Sequence, residues 1–70
     1  MTNESNETVL VRGFKLSKVC AGRWSVRRGR TRIGAIMQFG DHDFQVVDRR
    51  GHVLADHIKS LERAVREFER

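Results

Sequence analysis

Residues 23–32, RWSVRRGRTR, set Arg23, Arg27, Arg28, Arg30 and Arg32 around one glycine with no acid among them. Guanidinium groups at this density suit one kind of chemistry, forking onto phosphate oxygens and guanine edges. Held across a hairpin they also repel one another, at a cost of several tenths of a kcal/mol, roughly, for each directly opposed pair. An external polyanion would offset that cost. The competing reading is a solvated hairpin that protects a sheet edge with charge. Five arginines without a compensating acid favour the polyanion.

The charge is concentrated in one segment. Residues 1–11 carry only Glu4 and Glu7, residues 12–32 carry eight Lys/Arg and no acid, and residues 33–70 carry six bases against seven acids, within a net charge of +5. A localised positive field calls for an anionic partner more strongly than a diffuse one does. The stripe Lys59, Arg63, Arg66 and Arg70 near the C-terminus is offset by Glu62, Glu67 and Glu69, and reads as a solubilising face.

Other chemistries find little support. Cys20, His42, His52 and His57 include metal-ligand types, and Asp41-His42-Asp43 is suggestive, but no paired spacing of the structural-zinc kind is present. No nucleophile–base pairing, phosphate loop or paired-carboxylate site is visible, so the expectation is a protein without catalysis, cofactor, metal or small-molecule substrate. No apolar run approaches the roughly 20 residues of a membrane span, and MTNESNET lacks the basic and apolar regions of a secretory signal. With a single cysteine, the chain reads as cytoplasmic.

The elements that must carry the arginines follow from periodicity. Residues 1–8 read as a flexible tail and residues 9–70 as a single small α+β domain. VLVRGFKLSKV, RWSV, TRIGAIMQF, DFQVVD and HVLAD read as strands punctuated by glycines, and Ile58, Leu61, Ala64, Val65 and Phe68 follow helical spacing, with Ser60 to cap and Glu62 in the first turn. The expected architecture is an antiparallel four- to five-stranded β-meander packed on one C-terminal helix.

Three hairpin assignments give mutually consistent faces. An Arg28-Gly29 loop sets Arg27 against Arg30 and Trp24 against Ile33. A loop at 40–43 sets Phe39 against Phe44, Met37 against Val46 and Ile36 against Val47. An Arg50-Gly51 loop sets Arg49 against His52 and Val46 against Ala55. One face then collects Trp24, Val26, Ile33, Ala35, Met37, Phe39, Phe44, Val46, Val53 and Ala55 as a floor for the helix, with Asp48 at its rim. The other carries Arg23, Arg27, Arg30, Arg32 and Arg49, followed by an apolar row of Ile36, Val47 and Leu54. Either residues 9–19 cover this row through Leu10, Phe14 or Leu16, the favoured arrangement, or it forms an interface ringed by arginine. No aromatic falls on this face, so stacking of single-stranded bases has no platform.

The strand Trp24-Ser25-Val26, the basic hairpin at 27–32 and the closing helix at 60–65 resemble the three-stranded-sheet-plus-helix DNA-binding domains of phage integrases and plant AP2 factors. The resemblance spans about residues 22–69. It implies a sheet that enters the major groove, with DNA contacts from Arg23, Arg27, Arg30 and Arg32. The leading expectation is a nucleic-acid-binding module, duplex DNA favoured, using Arg23, Arg27, Arg28, Arg30, Arg32 and Arg49. The alternative is a protein-interaction module or homodimer, of the inhibitor or adaptor kind that a phage or plasmid encodes, using Ile36, Val47 and Leu54.

Overall fold

Period-two stretches joined by short turns favour a chain that runs up and down one sheet. The computed structural model, which describes residues 7–69, has six antiparallel strands paired in chain order. They are β1 (Thr8–Val11), β2 (Phe14–Cys20), β3 (Arg23–Arg28), β4 (Thr31–Gly40), β5 (Asp43–Asp48) and β6 (Val53–Ile58). The count exceeds the expected four or five because Arg12-Gly13 turns the chain back on itself, dividing the early segment into β1 and β2. Of the expected tail, residues 1–6 lie outside the described residues, whereas Thr8 belongs to the sheet and Glu7 is bonded to it. Thr8 opens β1, and the Glu7 carbonyl accepts from the Lys18 amide at 2.8 Å.

The C-terminal segment forms α1 (Leu61–Arg66), continued by a 3-10 turn at Glu67–Glu69. Ser60 caps it as expected, its Oγ accepting from the Arg63 amide at 3.2 Å. The helix touches β5 and β6 at one edge and β1 at the other. A six-stranded sheet can meet one short helix at both edges only by twisting and curling around it.

Beneath the helix, Phe14, Leu16, Trp24, Val26, Ile36, Phe44, Val46, Ala64 and Val65 form the core, with Ile33, Ala55, Ile58, Leu61 and Phe68 packed against it. Each fully buried large side chain contributes about 1.5–3 kcal/mol. The Phe68 ring lies 6.2 Å from that of Phe14, closing the helix end over the sheet. The indole nitrogen of Trp24 donates to Gln38 Oε1 at 3.2 Å, which satisfies its polar atom at the edge of the core.

Of the expected cross-strand pairs only Val46 with Ala55 is kept; the first loop is displaced by one residue, and β-bulges shift the rest. Between β4 and β5 the turn is the shorter Asp41-His42, with Gly40 facing Asp43, and Phe39 is an extra residue, so Gln38 rather than Phe39 faces Phe44. Beyond that point Ile36 faces Val46 and Met37 faces Gln45. A one-residue slip exchanges the faces of a strand. Ile36, expected on the helix-free side, is therefore core, while Met37 and Ala35, expected beneath the helix, point to the other face. Between β3 and β4 the loop is Gly29-Arg30, Ile33 is the extra residue, and Trp24 faces Ile36 instead of Ile33. Ile33 nevertheless packs against the same cluster as Trp24. Between β5 and β6, Val46 faces Ala55 as expected, then Leu54 bulges and Val47 faces Val53. Val53 and Phe39, expected in the core, are 55% and 63% exposed.

Residues 9–19 do not cover the helix-free side. They extend the sheet, sending Phe14 and Leu16 into the core and leaving Leu10 75% exposed on the open face.

Candidate nucleic-acid interface

In an up-and-down meander every second turn falls at the same end of the sheet. The turns after β1, β3 and β5 share one end, and their sequences are Arg12-Gly13, Gly29-Arg30 and Arg49-Arg50-Gly51. The turns after β2 and β4 share the other end and are Ala21-Gly22 and Asp41-His42. Topology therefore gathers three basic turns, far apart in sequence, into one basic end.

Each turn is built by its own residues. Arg12 and Gly13 have φ of 51° and 83°, the doubly positive backbone of a tight two-residue hairpin turn. An arginine in the left-handed region costs roughly 1–2 kcal/mol. It is fixed there by two 3.0 Å hydrogen bonds, from its Nε and a terminal nitrogen to the two carboxylate oxygens of Glu69. This pairing raises the Arg12 pKa and holds the Glu69 carboxyl below its ordinary range. The third turn is organised by Asp48, whose Oδ1 accepts from the amides of Arg50 at 2.8 Å and His52 at 2.9 Å. Those backbone bonds, that of His52 foremost, lower the Asp48 pKa, so it stays an anion and an acceptor.

The strands leading into these turns add a row of charge. On the open face Lys15 pairs with Arg27 and Arg27 pairs with Arg32, three exposed cations side by side across β2, β3 and β4. Arg27 thus opposes Arg32 and not Arg30, but the expected juxtaposition of like charges is present. Among the described residues, none of Arg27, Arg30, Arg32 or Arg49 forms an ion pair with a carboxylate.

Of the arginines singled out in the sequence, Arg27, Arg30, Arg32 and Arg49 are brought together at this end. Arg28 lies on the helix side instead, its guanidinium 5.4 Å from the centre of the Phe14 ring. Arg23 is on the open face but towards the other end, opposite Met37. Sequence reasoning missed Lys15 and Arg50, and also Arg12, which reaches the same end but is tied to Glu69 and is not part of the unpaired group. The signal for the two arginines was the triple recurrence of a valine-led, arginine–glycine turn at residues 11–13, 26–29 and 47–51. Lys15 needed the pairing of β2 with β3.

The apolar row on the open face differs in membership from the expected one. Ser17, Ser25, Ala35, Val47 and Val53 line up across β2 to β6, flanked by Met37, while Ile36 has moved into the core and Leu54 sits at a bulge, 43% exposed. At the end opposite the basic turns, Asp43, Asp56 and His57 bring ligand-type atoms within 4.8 Å of one another. His57 Nδ1 lies 3.5 Å from Asp43 Oδ1 with 80% of its side chain exposed, and Asp56 Oδ1 also accepts from the His57 amide. This is a surface carboxylate–imidazole cluster at the second bulge of β6. No pocket opens among the described residues.

The chain matches no protein-family model, no curated protein and no solved structure. No helix among the described residues is long and apolar enough to cross a membrane.

Proposed function

We propose that this chain is a small, non-catalytic nucleic-acid-binding module, with duplex DNA as its ligand, acting through the basic end and the adjoining open face. One observation carries the reading. Lys15, Arg27 and Arg32 stand side by side without described acid partners, next to a turn that adds Arg30. Such an array costs several tenths of a kcal/mol, roughly, per opposed pair, and a bound polyanion would turn that cost into binding energy. The resemblance to integrase and AP2 sheets supports the same reading, since there an uncovered sheet meets the duplex.

The test is a titration of labelled duplex DNA at two salt concentrations. With four phosphates engaged, log affinity should fall against log salt with a slope of about −3.6, so a fourfold rise in salt weakens binding roughly 150-fold. Absence of binding at low salt, or a slope near zero, would falsify the proposal.

A second reading rests on a separate observation. The open face is covered by no described element and presents Val47, half-buried, beside Val53 and Leu54, with arginines at its margin. A second copy or a protein partner seated there would bury an apolar centre within a basic rim.

A further inference from the structure

Resting on the nucleic-acid reading, we propose a narrower mode of binding: the Gly29-Arg30 turn and the Arg49-Arg50-Gly51 turn each hold one of the two phosphate rails bordering a single B-form groove, so that the protein grips duplex backbone without reading sequence.

Spacing is the first argument. These turns join β3 to β4 and β5 to β6, so they sit two strand spacings apart, about 9.5 Å. The B-form major groove is about 12 Å wide, a difference that two outward-directed arginine side chains span. A single strand has one rail and offers nothing for the second turn to hold. The charge distribution agrees, because Arg30 and Arg49 occupy the tips and neither is paired with a described carboxylate.

The second argument is what lies between and behind the tips. Reading bases requires donors and acceptors aimed at the groove floor. The central row of the open face instead carries Ser25, a buried Ala35 and half-buried Val47, with one hydroxyl and no amide or guanidinium among them, and the nearest guanidiniums, Arg27 and Arg32, stand beside the turns. Stacking on unpaired bases requires an exposed aromatic. Phe14 is buried, and Phe39 lies near the turn after β4, at the opposite end. With only the Arg27 and Arg32 guanidiniums beside this row, backbone contact is the mode the face favours.

The third basic turn supplies an internal control. Arg12 is held by Glu69 through two 3.0 Å bonds, so its charge is already spent within the fold and it adds no rail contact.

The experiment is fluorescence anisotropy on the full chain at several salt concentrations. The probes are two unrelated DNA duplexes of about two helical turns, one of their single strands, and an RNA duplex of equal length, whose major groove is deep and narrow. The two DNA duplexes should bind within about twofold of each other, and the single strand and the RNA duplex at least roughly tenfold more weakly. Arg30→Ala and Arg49→Ala should each lower the salt slope by about 0.9, additively. Arg12→Asn, which tolerates the left-handed backbone, should leave it unchanged. All three positions are exposed turn residues, and circular dichroism of each variant checks that it is folded before its slope is compared. A sequence preference above about tenfold means base contacts and overturns the rail model. Equal binding of the single strand or the RNA duplex overturns it too, as does a loss of slope with Arg12→Asn. Each of these leaves nucleic-acid binding itself standing. Salt-independent binding, or none to any probe, removes the reading underneath.

Discussion

Ile36 and Met37 are adjacent on β4 and of similar apolarity, yet the bulge at Phe39 sends them to opposite faces. Ile36 is fully buried between Trp24 and Val46, whereas Met37 is half-buried on the uncovered side between Arg23 and Gln45. Truncating Ile36 to alanine removes its outer carbons from a closed core, at a cost of about 2–5 kcal/mol. A chain of this size has roughly 3.5–10 kcal/mol of total stability at 0.05–0.15 kcal/mol per residue. Ile36→Ala should therefore lower Tm by at least about 8 °C, taking about 4–8 °C per kcal/mol, and at the upper end prevent folding. Met37→Ala exposes little that was closed and should cost less than about 1 kcal/mol. Thermal melts by circular dichroism, with urea titrations to compare midpoints at a common slope, measure both. If Met37→Ala proves as damaging as Ile36→Ala, β4 is in the unslipped register and the assignment of faces from β4 to β6 reverses.

Three further outcomes follow from particular contacts. A Cβ on Gly34 would meet the Val47 carbonyl and come within 2.7 Å of the Phe68 ring, so Gly34→Ala should cost about 1–3 kcal/mol by overpacking, and Gly34→Ala combined with Phe68→Ala should cost less than the sum of the single changes. Val47 faces the uncovered side, so Val47→Asp should leave the melt cooperative; sedimentation of both proteins then decides the interface reading, since self-association lost in the variant favours it and unfolding of the variant counts against an open face. Glu69 is held below its ordinary value of 4.5, chiefly by its hydrogen bonds from Arg12. A depressed carboxyl stabilises fully above that value and loses its contribution as pH falls through the folded one, so Tm should drop on acidification below about pH 4.5, and Glu69→Gln should flatten that part of the curve.

Much of the molecule was legible in its local signals. The helix announced itself through Ser60, Glu62 and the spacing of Leu61, Ala64, Val65 and Phe68, because capping and amphipathic period are properties of a few neighbouring residues. The β-meander was legible through strand alternation and glycine turns, and the concentration of cations in residues 12–32 required no structure at all. Most of what was misread traces to four apolar residues, Val19, Ile33, Phe39 and Leu54, each of which is an extra residue where pairing shifts. A bulge has no local signature comparable to a helix cap: whether Phe39 is paired or skipped depends on what Phe44 and Ile58 offer across the sheet. Two of these bulges moved Ile36 into the core and broke the apolar row expected of Ile36, Val47 and Leu54. The basic end was likewise a tertiary decision. Every arginine in it was visible in the chain, but only the parity of the meander brings residues 12, 30 and 49 to one side, and only the pairing with Glu69 separates Arg12 from the others, because charge adds up in space and not along the sequence.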